Sequence, residues 1–254
     1  MSTLTGKIAL VTGIANEHSI AYGVAKALKA RGAELVITYA TDRTRDFIEP
    51  LLPELEPAIV AKCDVTVDGS LEAVFEEIRK RFGRLDIALH SIAFAPKDDL
   101  HGRVVDTSRD GFLQAMDISC HSFVRLAHLA EPLMTDGGTL ITMSYYGAEK
   151  VVPNYGVMGP VKAALEATTR YLAYELGKSR IRVHAVSPGP VKTRAASGIP
   201  EFSSMLDEAV ERAPLQALID IDDVGAATAF LCEPGAAMLT GSVIHVDGGL
   251  HILA

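Results

Sequence analysis

Seven short runs rich in Val, Ile and Leu alternate along this chain with longer stretches of helical spacing, and few folds accommodate that rhythm. The runs are KIALVT (7–12), ELVITY (34–39), AIVAKC (58–63), LDIALH (85–90), GTLITM (138–143), IRVHAV (181–186) and SVIHV (242–246). Most are apolar at both phases of the two-residue alternation, the pattern of strands covered on both faces. Between them lie AYGVAKALKARG, SLEAVFEEIRKRFG, GFLQAMDISCHSFVRLAHLAEPLM and YGVMGPVKAALEATTRYLAYELG. Gly32, Gly83 and Gly177 stand where these helices should end. The alternation predicts an α/β fold with a doubly wound, seven-stranded parallel sheet and helices on both faces. No Pro/Gly/Ser-rich linker divides residues 1–254, so one domain is expected.

Composition narrows the function classes. The formal net charge of -8 argues against nucleic acid as a main partner, because phosphate backbones call for clustered Lys and Arg. Cys63, Cys120 and Cys232 lie far apart without ligand spacing and read as buried hydrophobes in a reducing compartment. The start MSTLTGKIALVTG shows no basic-then-apolar leader, and no apolar run approaches a membrane span, so a cytoplasmic protein is expected. The eight histidines include no HExxH or comparable pair, and no metal is expected. His121 and His128 share a helical face and are expected to pack there. One segment breaks the rhythm: Ser187 to Leu215 is punctuated by Pro and Gly, then weakly helical. It is either a surface insertion or a lid over the carboxyl ends of the strands, where such sheets bind ligands.

Several stretches carry possible chemistry. TGIANEHSIAYG (12–23) follows the first strand, where backbone N–H groups and a helix N-terminus can receive a pyrophosphate. Gly13 would supply the tight turn. Ser19 would donate to phosphate and cap the helix starting at Ile20, and Gly23 would allow close packing on the sheet. Asp64, after the third strand, can accept from an adenine amino group or simply cap the next turn. His90-Ser91-Ile92-Ala93 follows the fourth strand with residues small enough to lie against a ribose and ring. Tyr155 and Lys162 stand seven apart at the start of a long helical stretch, so they should share a face. An ammonium there would lower the phenol's pKa from about 10 and make it a better proton donor.

Taken together, Gly13 to Gly23, CDV (63–65), HSIAFAP (90–96), SYYGAEKVVPNYGVMGPVKAALEA (144–167), RVHAVSPGPVKTRAASGI (182–199) and HVDGG (245–249) span the chain. They resemble the short-chain dehydrogenase/reductases, and specifically the divergent branch of NADH-dependent enoyl-acyl-carrier-protein reductases of type II fatty acid synthesis. The resemblance implies a Rossmann-like single domain with a substrate lid at about 193–212. It implies hydride transfer from NADH to the β-carbon of a trans-2-enoyl thioester carried on acyl carrier protein, and a homotetramer. Tyr155, Lys162 and Tyr145 would be catalytic, although Tyr145 also reads as a strand-end aromatic packed in the core. Gly13, Ser19, Ile20, Asp64, Val65, Ser91, Ile92, Lys162, Val191 and Thr193 would meet the cofactor. Ala95, Tyr145, Met158, Ile199 and Phe202 would border the acyl chain.

The sequence departs from the family pattern in places. Ala93 replaces a usual Gly, and after Lys192 and Arg194 nothing basic follows until Arg212, which thins the surface for an acidic carrier protein. Tyr39-Ala40-Thr41 ends the second strand without the Arg or Lys that would meet a 2'-phosphate, favouring NADH over NADPH. Two other readings remain open at this point. An ordinary carbonyl or alcohol oxidoreductase would use a hydroxyl thirteen residues before Tyr155, where Thr142 stands. A non-catalytic dinucleotide sensor would need neither Tyr155 nor Lys162.

Overall fold

Strand β1 (Ile8–Val11) is buried along its whole length, as a strand covered on both faces must be. The computed structural model describes residues 3–193 and 202–253, with residues 202–205 and 208 as backbone only. The chain continues through α1 (Ile20–Ala30), β2 (Glu34–Tyr39), α2 (Asp42–Ile48), α3 (Leu52–Leu55), β3 (Ile59–Lys62), α4 (Ser70–Phe82) and β4 (Ile87–His90). There follow α5 (Lys97–His101), α6 (Arg109–Met116), α7 (Ser122–Ala130), β5 (Gly138–Met143) and α8 (Met158–Leu176). The last elements are β6 (Ile181–Pro188), α9 (Phe202–Arg212), α10 (Ile221–Cys232) and β7 (Val243–Val246). Among the described residues the seven strands form one sheet in the order β3-β2-β1-β4-β5-β6-β7, every neighbouring pair parallel. The chain leaves β1 in one direction and returns to β4 on its other side. That reversal opens a crevice at the carboxyl ends of β1 and β4, where ligands enter such sheets.

Side-chain alternation divides the core into two layers. Ile8, Leu10, Val36, Ala88, Leu140 and Val183 pack with α4, α7 and α8 on one face. Ala9, Val11, Leu35, Ile37, Leu89, Ile141 and Val186 pack with α1 and α10 on the other. The apolar character of both phases of each run therefore has a direct structural cause.

Four details differ from the sequence reading. Gly23 packs on α10 rather than on the sheet: a Cβ there would stand 2.0 Å from the Ile221 carbonyl oxygen. Gly177 keeps a right-handed helical φ of -58°, and the left-handed residue that ends the turn is Arg180 at 58°. The long helical stretch before β5 is interrupted by a π-helical turn at Asp117–His121. Finally, α8 begins at Met158, so Tyr155 precedes the helix on which it was expected.

Candidate active site

Gly13 brings the ends of β1 and β4 together. Its φ is 92°, and a Cβ would lie 2.0 Å from the Ser91 carbonyl oxygen, so only glycine fits the turn. Thr12 closes the same junction, donating from both its N–H and its hydroxyl to the Leu89 carbonyl. Ser19 precedes α1 but does not cap it as expected. Its Oγ instead accepts from the N–H groups of Ala15 and Asn16, at 2.9 and 3.0 Å, and so shapes the loop. The N-terminus of α1 therefore opens on the crevice without a side-chain cap, as an anion-receiving helix end does.

After β4, the His90–Pro96 loop is held from below by the π turn. Ser119 accepts from the Phe94 N–H at 2.9 Å and donates to the Phe94 carbonyl at 3.1 Å. Ser122 donates its one proton to the Ile118 carbonyl at 2.6 Å, so toward His90 Nε2, 2.7 Å away, it can only accept. His90 thus carries its proton on Nε2, and Nδ1 accepts from the Thr142 hydroxyl at 2.9 Å. Burial, followed by the Lys162 charge, pushes His90 down to about 3 and keeps it neutral. Thr142 is wholly buried in this exchange. The hydroxyl that the carbonyl-reductase reading requires therefore faces His90 rather than the cleft.

Three turns place the tyrosines. Asn154 and Gly156 adopt left-handed φ values of 63° and 48° on either side of Tyr155. Gly156 nestles against the end of α5, where a Cβ would meet the Leu100 carbonyl oxygen at 2.3 Å. Gly147 lies flat against the Tyr155 ring, since a Cβ there would come within 2.7 Å of its Cδ1. Tyr145 meets Tyr155 edge-on, with centroids 4.9 Å apart and planes at 62°. The Tyr155 hydroxyl has no hydrogen-bond partner among the described residues. Lys162, buried on the first turns of α8, donates to the Met143 carbonyl at 2.6 Å. Burial pushes Lys162 down to about 8, opposed by Cys120 and Glu166. Tyr155 is pushed up rather than down, by burial first and by Glu166 second. Burial likewise raises Tyr145, with Tyr146 and Tyr155 adding to it. The expected acidification of the phenol by Lys162 is therefore absent, and Tyr155 stays a neutral phenol.

These elements surround a cavity of about 390 Å³. Gly13, Ser19, Ile20, Ser91, Ile92, Ala95, Tyr145, Tyr155, Met158, Lys162, Val191 and Thr193 all line it. Asp64 and Val65 do not: the Asp64 carboxylate accepts from the Thr66 N–H and hydroxyl, and the Val65 carbonyl accepts from Arg125. The Asp64 turn-cap is thus made through Oδ1 alone. Ile199 lies outside the described residues, and Phe202 is described as the backbone start of α9. The sequence reading passed over Phe94, Leu100, Ser144 and the Pro188–Pro190 turn, all of which line the cavity. Phe94, Ser144 and the Pro188–Pro190 turn lie inside motifs that could have flagged them; Leu100 lies in none. Among the described residues no three His, Cys, Asp or Glu side chains come together as a metal site.

Comparison with known proteins matches residues 13–251 to the family model described as enoyl-(acyl carrier protein) reductase. The chain is 46% identical to the NADH enoyl-[acyl-carrier-protein] reductase 1 of Rhizobium meliloti, covering 98% of this chain and 91% of that one. It is 47% identical to the NADH enzyme of Aquifex aeolicus, over 100% and 94% of the two chains. Among solved structures, the Anaplasma phagocytophilum reductase in complex with NAD superposes with a TM-score of 0.95 at 45% identity, covering 99% and 96%. The Bacillus cereus reductase with NADP+ and indole naphthyridinone gives 0.97 at 46% identity, covering 100% of both chains.

Proposed function

The chain belongs to the enoyl-(acyl carrier protein) reductase family, and from that premise we infer that its cleft reduces the 2,3-double bond of enoyl thioesters with NADH. The observation that carries this is the convergence of the Tyr155 hydroxyl and Lys162 on a cavity whose other end is the Gly13 turn and the uncapped start of α1. Those groups fit a dinucleotide: the Gly13 turn leaves no room for a Cβ, and the helix end offers N–H groups to a pyrophosphate. When bound, NADH supplies the hydride that adds to the β-carbon of a trans-2-enoyl thioester.

Tyr155 donates a hydrogen bond to the thioester carbonyl oxygen and stabilises the enolate oxyanion, which then takes a proton from solvent water at the α-carbon. Its raised pKa suits that role, because a neutral phenol retains the proton it donates. Lys162 binds the nicotinamide ribose and keeps positive charge beneath Tyr155. Tyr145 packs on Tyr155 and lines the substrate side of the cleft. Gly13, Ser19, Ile20, Ser91, Ile92, Val191 and Thr193 hold the cofactor; Asp64 and Val65 bound its adenine end beyond the cavity. Ala95, Met158, Ile199 and Phe202 border the acyl chain, and 193–212 is its lid. Support for the lid comes from its origin at the Pro188–Thr193 wall of the cavity. In α9, Leu206 and Ala209 are buried.

The substrate is an acyl thioester on acyl carrier protein, with exposed Lys192 beside the cleft as its first cation. No helix among the described residues is long and apolar enough to cross a membrane. Three buried free cysteines agree with a reducing compartment, and the enzyme is assigned to the cytoplasm. A homotetramer is supported by Tyr171 and Tyr174, which stand exposed on α8.

The test is oxidation of NADH with crotonyl thioester against a β-ketoacyl thioester. Turnover with crotonyl thioester is expected, and consumption with the keto substrate alone would overturn the reading. Cofactor choice gives a second prediction. The cations around the end of β2 are engaged: Lys62 pairs with Asp42 at 2.8 Å, Arg45 with Glu49 at 2.7 Å, and Arg43 lies over the Phe47 ring. With none free for a 2'-phosphate, kcat/KM for NADPH should fall at least about tenfold below that for NADH in the same assay.

A further inference from the structure

Two adjacent residues at the end of β5 are tied to two side chains one turn apart on α8. Met143 accepts from Lys162 through its carbonyl, and the Ser144 hydroxyl donates to Oε1 of Glu166. Lys162 and Glu166 each expose only 5% of their surface. A buried ammonium is costly unless an opposite charge lies close by, and the reaction as described above gives Glu166 nothing to do. We propose that Glu166 is a positioning residue for the reaction: the buried carboxylate, anchored to β5 through Ser144, holds Lys162 in the ammonium form bound to Met143.

The surroundings of the pair bear this out. Lys162 faces neutral His90 from β4, Cys120 from the π turn, and Glu166 on its own helix. Glu166 faces Ser144, Glu149 from the loop after β5, Lys162, and Arg170 one turn on. It also acts on Tyr155. Burial raises Glu166, while Ser144, Arg170 and Lys162 favour its charged form. Among the described residues, Cys120 first and Glu166 second oppose the burial of Lys162. The same carboxylate adds to burial in raising Tyr155, so one charge favours the protonated form of both groups.

The sign of the pH effect follows. Lys162, pushed down to about 8, loses its proton well before Tyr155 does, so it sets the alkaline fall of kcat/KM. Removing the Glu166 charge lowers Lys162 further and moves that fall to lower pH. Glu166→Gln keeps the shape and the Ser144 contact, and should shift the alkaline limb of kcat/KM for crotonyl thioester down by about one pH unit. Glu166→Asp should restore the limb. The Kd of NADH, read from its own fluorescence, should weaken over the same shifted range.

This rests on the proposed roles of Tyr155 and Lys162, which turnover of crotonyl thioester by the unaltered enzyme tests separately. A purely structural Glu166 would lower Tm and scale kcat/KM equally at every pH. Should Glu166→Gln fail to fold, Ser144→Ala leaves the carboxylate in place but unanchored, and should move the limb in the same direction by less. A limb superimposable on that of the unaltered enzyme in Glu166→Gln, or in Ser144→Ala where Glu166→Gln does not fold, overturns the assignment.

Discussion

Tyr155→Phe should lower kcat for crotonyl thioester by about 10²- to 10³-fold, the usual cost of removing one donor to a developing oxyanion. NADH binding should stay within about twofold, because the cofactor is held by Gly13, the start of α1 and Lys162 rather than by the phenol. The structure separates chemistry from folding unusually well at this position. The hydroxyl has no partner among the described residues, so its removal strands no donor or acceptor in the protein. The ring keeps its contacts with Tyr145 and Gly147. Tm should therefore change by no more than about 2 °C, since losing a hydroxyl that has no protein partner costs well under about 1 kcal/mol. Steady-state kinetics with a thermal melt on the same preparation checks both halves. Unchanged turnover would remove the proposed role of Tyr155, and the sensor reading would then regain ground.

Gly23→Ala should have the largest effect on stability. Helices α1 and α10 interlock through two glycines: a Cβ on Gly23 would meet the Ile221 carbonyl oxygen at 2.0 Å, and one on Gly225 would meet the Gly23 carbonyl oxygen at 2.4 Å. Both obstacles are backbone, so neither can turn aside as a side chain would. The helices must separate, disturbing the buried layer formed by Ala21, Val24, Ala25 and Val224 and the Lys26–Asp222 pair at 2.6 Å. Overpacking of this kind costs about 3 kcal/mol, which for a chain of this size lowers Tm by about 6–12 °C. The shift would also move the N-terminus of α1 at the cofactor site, so the Kd of NADH should rise. Gly177→Ala is the control: its φ is -58° and nothing lies within 4 Å of the added methyl, so Tm should hold or rise slightly. Equal melts for the two variants would show that the helix contact is looser than described.

How far the sequence could be read depended on how local each cause was. ELVITY and GTLITM became strands with the predicted bounds, whereas AIVAKC and LDIALH shortened to Ile59–Lys62 and Ile87–His90. Tyr155 and Lys162 were found by their spacing, but the reason offered for it was wrong. Both line the cavity because the turn around Tyr155 closes on Leu100 and Gly147, not because one helical face carries both. Leu100 reaches the cavity from α5, Ser119 of the π turn braces the loop after β4, and Ser122 at the start of α7 braces the end of β4. A local pattern does not announce such contacts between segments 25 or more residues apart. Asp64 shows the converse limit: the spacing of the motif did not foretell that one oxygen of this carboxylate, Oδ1, accepts from both the N–H and the hydroxyl of Thr66.

What the sequence alone determined was the parallel, doubly wound sheet and the family motifs at its carboxyl edge, because two-sided burial and turn chemistry repeat over a few residues. The tertiary structure decided which groups carry charge and which proton sits where. His90 is neutral with its proton on Nε2, Lys162 is pushed down, and Tyr155 is pushed up. Those states arise from burial and from charges brought within ångströms by packing, and spacing along the chain does not encode them.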